Sequence, residues 1–189
     1  MVLEAKTVYF EKTGAENTDN VLKISRQRAE ELGIETIVVA STTGSTAVKA
    51  VELFAGIKVI AVSHSTGFSQ PNTQQFTKEN RRVIESKGGI VLTTTHTFGG
   101  ISRAMRNKFN TYVIGDIVAS TLRIFGQGMK VACEITLMAA DSGLVRTDED
   151  IVAIGGSSRG ADTSVVLRPV NSQDFFDLRV NEILCKPRF

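Results

Sequence analysis

Thr36-Ile37-Val38-Val39-Ala40 runs directly into Ser41-Thr42-Thr43-Gly44-Ser45-Thr46, and a further apolar stretch reaches Gly56. The first five residues are mostly β-branched and show no polar alternation. That pattern belongs to a strand covered on both faces, as in a parallel sheet. Ala47, Val48, Val51, Leu53 and Phe54 then supply the packing face of a helix over Ser45–Ala55, which Gly56 closes. Strand, hydroxyl-rich turn and helix form one half of a β-α-β unit. Lys58-Val59-Ile60-Ala61-Val62-Ser63 completes it as a second buried strand.

The same alternation extends both ways. Thr7–Phe10 reads as a short strand. A helix follows from Asn17 or Thr18, whose side-chain oxygens suit a cap, through Val21, Leu22, Ala29 and Leu32 to a stop at Gly33. A polar loop runs from His64 to about Thr77, broken by Gly67 and Pro71. Helices are expected over Thr77–Lys87, Ile101–Lys108 and Asp116–Phe125. Gly128–Ser142 is apolar on most of its surface and is expected in the interior. Gly89–Thr94 and Ile151–Gly155 read as a third and a fourth buried strand. Ser164–Val170 and Glu182–Lys186 are expected as final strands at an antiparallel edge. Connections this long suit crossovers, so the expectation is α/β: a three-layer αβα sandwich with a mostly parallel sheet, one domain over residues 1–189.

Composition narrows the class. The chain of 189 residues is 42% hydrophobic, enough for a sizeable core. Twenty-two Lys and Arg against 20 Asp and Glu leave a formal charge of +2. Arg81-Arg82 and Lys186-Pro187-Arg188 are its densest basic patches, too short for a nucleic-acid face, so no nucleic-acid partner is expected. No apolar stretch approaches the ~20 residues of a membrane span. The opening residues Met1–Lys6 lack the basic start and apolar segment of a secretion signal. Cys133 and Cys185 provide neither a disulfide framework nor a metal spacing. A cytoplasmic protein is expected, with no membrane partner and no bound metal.

Ligands of open α/β sheets bind beyond the carboxyl ends of the strands. Those ends gather hydroxyls, glycines and histidines: Ser41–Thr46, Ser63-His64-Ser65, Thr93-Thr94-Thr95-His96 and Gly155-Gly156-Ser157-Ser158-Arg159-Gly160. Ser41–Thr46 carries five hydroxyls and a glycine at a helix start, where free amides and a partial positive charge attract anions. One hydroxyl would suffice as a helix cap, so five read as a phosphate cradle. Neither a Walker lysine nor a Gly-x-Gly-x-x-Gly fingerprint is present. Arg159 is the candidate anion clamp, its alternative an exposed loop arginine. His64 and His96 are the candidate proton donors or ligand contacts, their alternative being local loop bonding. Phe68 and Phe98 are candidates for stacking on a planar ring, or ordinary core. Cys133, inside an apolar helix, is expected to be inert.

Ile37–Ala47 resembles the effector-phosphate loop in the C-terminal domain of pyruvate kinases, and Ile57–Ser63 looks like that domain's next strand. Glu149–Gly156 with Gly160–Val170 looks like its last loop and hairpin. The chain is similar in particular to stand-alone archaeal proteins built on this domain, some seen with flavin mononucleotide (FMN). The resemblance implies a phosphate site at Ser41, Thr42, Thr43, Gly44 and Thr46, with the loop Gly156–Gly160 closing over the ligand. The catalytic barrel of pyruvate kinase does not fit in 189 residues, so kinase activity is not implied. Thr42 stands where that domain often has Lys, which favours one phosphate on a large uncharged ring.

The leading expectation is an FMN protein. Its phosphate would sit on Ser41–Thr46 and its ring among His64, Phe68, Thr95 and His96, with flavin-dependent oxidoreduction as the possible activity. The alternative is a non-catalytic sensor that binds a sugar phosphate or nucleotide and signals through homo-oligomer contacts.

Overall fold

The computed structural model describes residues 2–188. Seven strands form a single sheet: β1 (Val8–Phe10), β2 (Thr36–Ala40), β3 (Lys58–Ser63), β4 (Ile90–Thr93), β5 (Ile151–Gly155), β6 (Thr163–Arg168) and β7 (Arg179–Pro187), in the order β1-β7-β6-β5-β2-β3-β4. Six α-helices accompany them: α1 (Thr18–Leu32), α2 (Ser45–Leu53), α3 (Lys78–Ser86), α4 (Gly100–Phe109), α5 (Ile114–Arg123) and α6 (Gln127–Asp141). The α/β class and the mostly parallel sheet agree with the reading of the sequence.

β2 lies at the centre, parallel to β3 on one side and to β5 on the other; Val38 faces Ile60 and Ala153. Its three inner residues are fully buried, which explains the run without polar alternation. One apolar layer joins α1, α2 and Ile84 of α3 to one face of the sheet, centred on Val21, Ile37, Phe54 and Ile154. The other joins α6 to the opposite face through Met129, Cys133 and Met138, with Leu122 of α5 at its margin. Each fully buried aliphatic or aromatic side chain contributes about 1.5–3 kcal/mol relative to exposure.

Two expectations need correction. β6 and β7 do not form an antiparallel edge. β6 pairs antiparallel with both β5 and β7, and β1 covers β7 through parallel pairing of Val8 with Cys185. The edge falls to β1, which joins chain segments at opposite ends of the sequence. Nor do Asn17 and Thr18 act as helix caps. Asn17 donates through its carboxamide to the Lys12 carbonyl, and the Thr18 hydroxyl accepts from the Ala161 amide, 3.0 Å away.

The connectivity decides where a ligand can enter. From β2 the chain steps outward through β3 to β4, then returns by α4–α6 to β5 on the other side of β2. The helices following β2 and those preceding β5 lie on opposite faces. The carboxyl ends of β2 and β5 therefore flank a topological switch point, the usual crevice of an open α/β sheet.

Candidate functional site

At the end of β2, the turn Ser41–Gly44 leads into α2. Ser41 turns inward, and its hydroxyl accepts weakly from the Ala47 amide at 3.4 Å. Thr46 is buried as well. Thr43 and Ser45 are exposed, and their hydroxyls meet each other at 3.2 Å instead of capping the helix. The five hydroxyls thus divide: Ser41 and Thr46 support the turn, Thr42 is half-buried, and Thr43 and Ser45 face outward. Gly44, with φ near +99°, is required for a reason the sequence did not reveal. A side chain there would meet Asn80 Cβ at 2.6 Å and the Phe76 ring at 2.9 Å.

Those neighbours belong to the β3–α3 loop and the first turn of α3, which together strap the turn down. The Thr43 carbonyl accepts from the Thr77 amide at 3.1 Å and from the Asn80 carboxamide at 2.9 Å. Two residues before Thr77, Gln75 Oε1 lies 3.0 Å from His64 Nδ1. That oxygen only accepts, so Nδ1 donates to it. The Ser63 hydroxyl is spent internally, on the His64 carbonyl and on Thr93 Oγ1.

Phe68 and the two histidines come together. His64 and Phe68 have ring centroids 4.0 Å apart, and Phe68 and His96 stack at 5.0 Å. The Arg103 guanidinium of α4, not singled out from the sequence, lies 4.4 Å from the centre of the Phe68 ring. All three rings are half-buried, Thr94 is half-buried and Thr95 exposed beside them. Phe98 is not part of this cluster. It is buried against Phe175, Ala119 and Leu137, so its expected stacking role gives way to the core alternative.

Across the crevice, Gly156–Gly160 is held by a carboxylate the sequence reading passed over. Asp162, fully buried, accepts from the amides of Gly14 and Ser157 at 3.0 and 3.1 Å and from the Thr163 hydroxyl at 2.8 Å. Ser157 is half-buried, while Ser158 and Arg159 are exposed. Among the described residues, no hydrogen bond or ion pair holds the Arg159 guanidinium.

Behind His96 lies a buried ion pair, Lys130 with Glu134 on α6, whose second carboxylate oxygen accepts from the Phe98 amide at 2.9 Å. An apolar helix concealed it: with Asp141 at its end, three charges among fifteen residues do not disturb a hydrophobic pattern. Burial holds the His96 pKa below its ordinary value of 6.5; Glu134 opposes this, while His64, Lys130 and Arg103 reinforce it. A lowered folded-state pKa means that protonation favours the unfolded chain. Stability carried by neutral His96 is therefore full above about pH 6.5 and falls as the pH drops towards the folded value. Urea titrations between pH 7 and 5 should show a decline that His96→Asn flattens; parallel declines would assign it to other groups. Burial also pushes the Cys133 thiol up to about 12, which keeps it unreactive at neutral pH.

A family profile described as "Pyruvate kinase, alpha/beta domain" matches residues 19–167. The chain belongs to the pyruvate kinase alpha/beta domain family. This domain also resembles solved structures of Cryptosporidium parvum pyruvate kinase. One is 12% identical over 81% of this chain and 23% of that one, with a TM-score of 0.44. A second is 11% identical over 81% and 22%, with a TM-score of 0.42. O-ureido-L-serine synthase is 15% identical over 71% of this chain and 49% of that one, with a TM-score of 0.32. The domain spans about a quarter of the length of those pyruvate kinases. Among the described residues, no helix is long and apolar enough to cross a membrane, and no three His, Cys, Asp or Glu side chains cluster as metal ligands.

Proposed function

We propose that this domain binds a phosphorylated small molecule at the carboxyl ends of β2–β5, with FMN the leading ligand. One observation carries the reading. The Thr43 and Ser45 hydroxyls face outward at the start of α2, free of capping duty, beside the switch-point crevice. Hydroxyls and free helix amides together favour a phosphate. The neutral donor set suits one phosphate better than two, and Arg159 of the facing loop is free to reach it. The resemblance read from the sequence to stand-alone FMN-bearing proteins points to the same ligand.

The donors at the start of α2 suit the flavin's phosphate, and the aromatic cluster suits its ring in chemistry. Thr43, Ser45 and the first amides of α2 would hold its phosphate, and Phe68 with His64 and His96 would pack against its ring. Bound flavin supplies hydride or electron transfer. The chain's own contribution is to orient the ring and, through His64 Nε2 or His96, to accept or hold a proton.

The three rings pack on one another rather than framing a slot, and this favours a second reading. On it, the domain is a sensor for a sugar phosphate or nucleotide and binds no flavin.

The test is calorimetric titration with FMN and riboflavin. Thr43→Val with Ser45→Ala should weaken FMN by about 1–3 kcal/mol and leave riboflavin little changed. Arg159→Ala should likewise affect FMN more. Equal losses for both ligands would move the phosphate elsewhere. A colourless protein that ignores FMN, yet is stabilised by a phosphorylated sugar, would install the sensor reading.

A further inference from the structure

The helical hairpin α4–α5 carries a surface that the ligand reading does not use. Ile101, Phe109, Tyr112, Ile114, Ile117 and Ile124 are each between 60% and 80% exposed. Scattered single apolar residues are normal on a surface, whereas six on one hairpin mark an interaction site. α4 has no buried residue at all, although a helix of ten residues has little stability of its own. α5 buries Asp116 and Ala119 towards the protein and presents a second stripe outward: Ile114, Ile117, Thr121 and Ile124. Their spacing of three, four and three is that of a helix–helix seam. No charge interrupts it, and the Thr121 hydroxyl is turned back to the Ile117 carbonyl at 3.0 Å.

We propose that this face is the contact between two copies of the chain, α5 against α5 across a two-fold axis with α4 at the flanks. A standard interface takes ~800 Å² from each partner, which the two helices of the hairpin are needed to supply together. A two-fold contact needs only a self-complementary patch, which one uncharged stripe provides.

The charges argue against the obvious rival, an anionic lipid surface. Lipid-binding patches gather about four to eight free Lys or Arg. Here Arg106 is paired with Asp116, Arg123 donates to Gln127 at 2.7 Å, and Arg103 lies over Phe68. With Lys108 that leaves three uncompensated cations on the hairpin, two of them already held by neutral groups, short of the number such patches gather. Because Arg103 sits on α4, pairing would also steady the hairpin that touches the aromatic cluster. The contact itself does not depend on any ligand.

Sedimentation velocity on the full chain tests this. The wild type should sediment as a dimer, or a larger even assembly, at micromolar concentration. Ile114→Glu with Ile117→Glu should raise the dissociation constant by about 100-fold or more, since each buried charge appears twice across the axis. Far-UV circular dichroism controls for folding. Should that variant unfold, Thr121→Arg, in the middle of the stripe and outside the core, should give the same monomer. A wild type that stays monomeric, an assembly indifferent to Thr121→Arg, or monomers that co-sediment with anionic vesicles would each overturn the proposal.

Discussion

Lys130→Met is expected to cost about 3–5 kcal/mol of folding stability, because it strands a buried carboxylate. Lys130 is 8% and Glu134 4% exposed, one helical turn apart on the face of α6 that supports the β4–α4 loop. Once the ammonium is gone, Glu134 can neither reach water nor find another cation. Adding Glu134→Leu should recover much of the loss, but not all. The Phe98 amide, now held by Glu134 at 2.9 Å, would be left without an acceptor at a cost of about 1–3 kcal/mol. Urea unfolding of the two single variants and the double variant closes the cycle, and a favourable coupling of 1 kcal/mol or more is expected. A single-variant loss below 1 kcal/mol would mean that water reaches the pair. His96 should report the change as well, since its neighbour Glu134 is the one group that opposes its lowered pKa.

The same pair shows where reading a sequence fails. An apolar surface on nearly every side marked α6, twelve of whose residues are buried, and for the same reason Lys130 and Glu134 passed as noise in an apolar pattern. Strands were easier. Thr36–Ala40, Lys58–Ser63 and Ile151–Gly155 match the observed bounds residue for residue, because the inner positions of a strand buried on both faces are apolar without alternation. Their order was not legible. β7 begins with three exposed residues and so resembles an edge strand, yet β1, a three-residue strand from the other end of the chain, covers it. A pairing between Val8 and Cys185 leaves no local trace.

The candidate site was legible as composition and illegible as division of labour. Five hydroxyls in six residues marked the β2–α2 turn, but only the fold separates the inward Ser41 and Thr46 from the outward Thr43 and Ser45. Thr18, which suits a helix cap by position, instead holds the Ala161 amide of the facing loop. Asp162 gave no signal because a carboxylate beside a glycine-rich loop is ordinary on a surface. Its importance comes from complete burial with three donors around it.

Gly155→Ala is expected to be at least as damaging as a deletion in the core, about 3 kcal/mol or more. From the sequence, Gly155 reads as the first residue of a ligand loop. In the fold it is where α6 touches the sheet. A Cβ at Gly155 would stand 2.5 Å from the Gly128 carbonyl and 3.1 Å from the Ala132 amide, both backbone atoms. Nothing can rotate aside, so α6 would have to move off β5. Gly128 of α6 packs on a different neighbour, and its Cβ would fall 2.1 Å from Thr163 Oγ1 and 2.4 Å from Thr163 Cβ. The two positions therefore differ in their remedy. Thr163→Gly should partly rescue Gly128→Ala by removing the obstructing side chain, at the expense of its hydroxyl bond to Asp162. It should do nothing for Gly155→Ala, whose obstacle is main chain. Chemical denaturation of the four variants reads this directly. A Gly155→Ala protein within about 0.5 kcal/mol of wild type, the range of neutral surface changes, would show that α6 sits farther from the sheet than described. Because Asp162 and Thr163 also hold the loop Gly156–Gly160, any displacement of α6 should reach the crevice. With FMN in the crevice as proposed, its affinity should then fall in step with stability across the series, whereas a loss of stability without a loss of binding would uncouple the loop from α6.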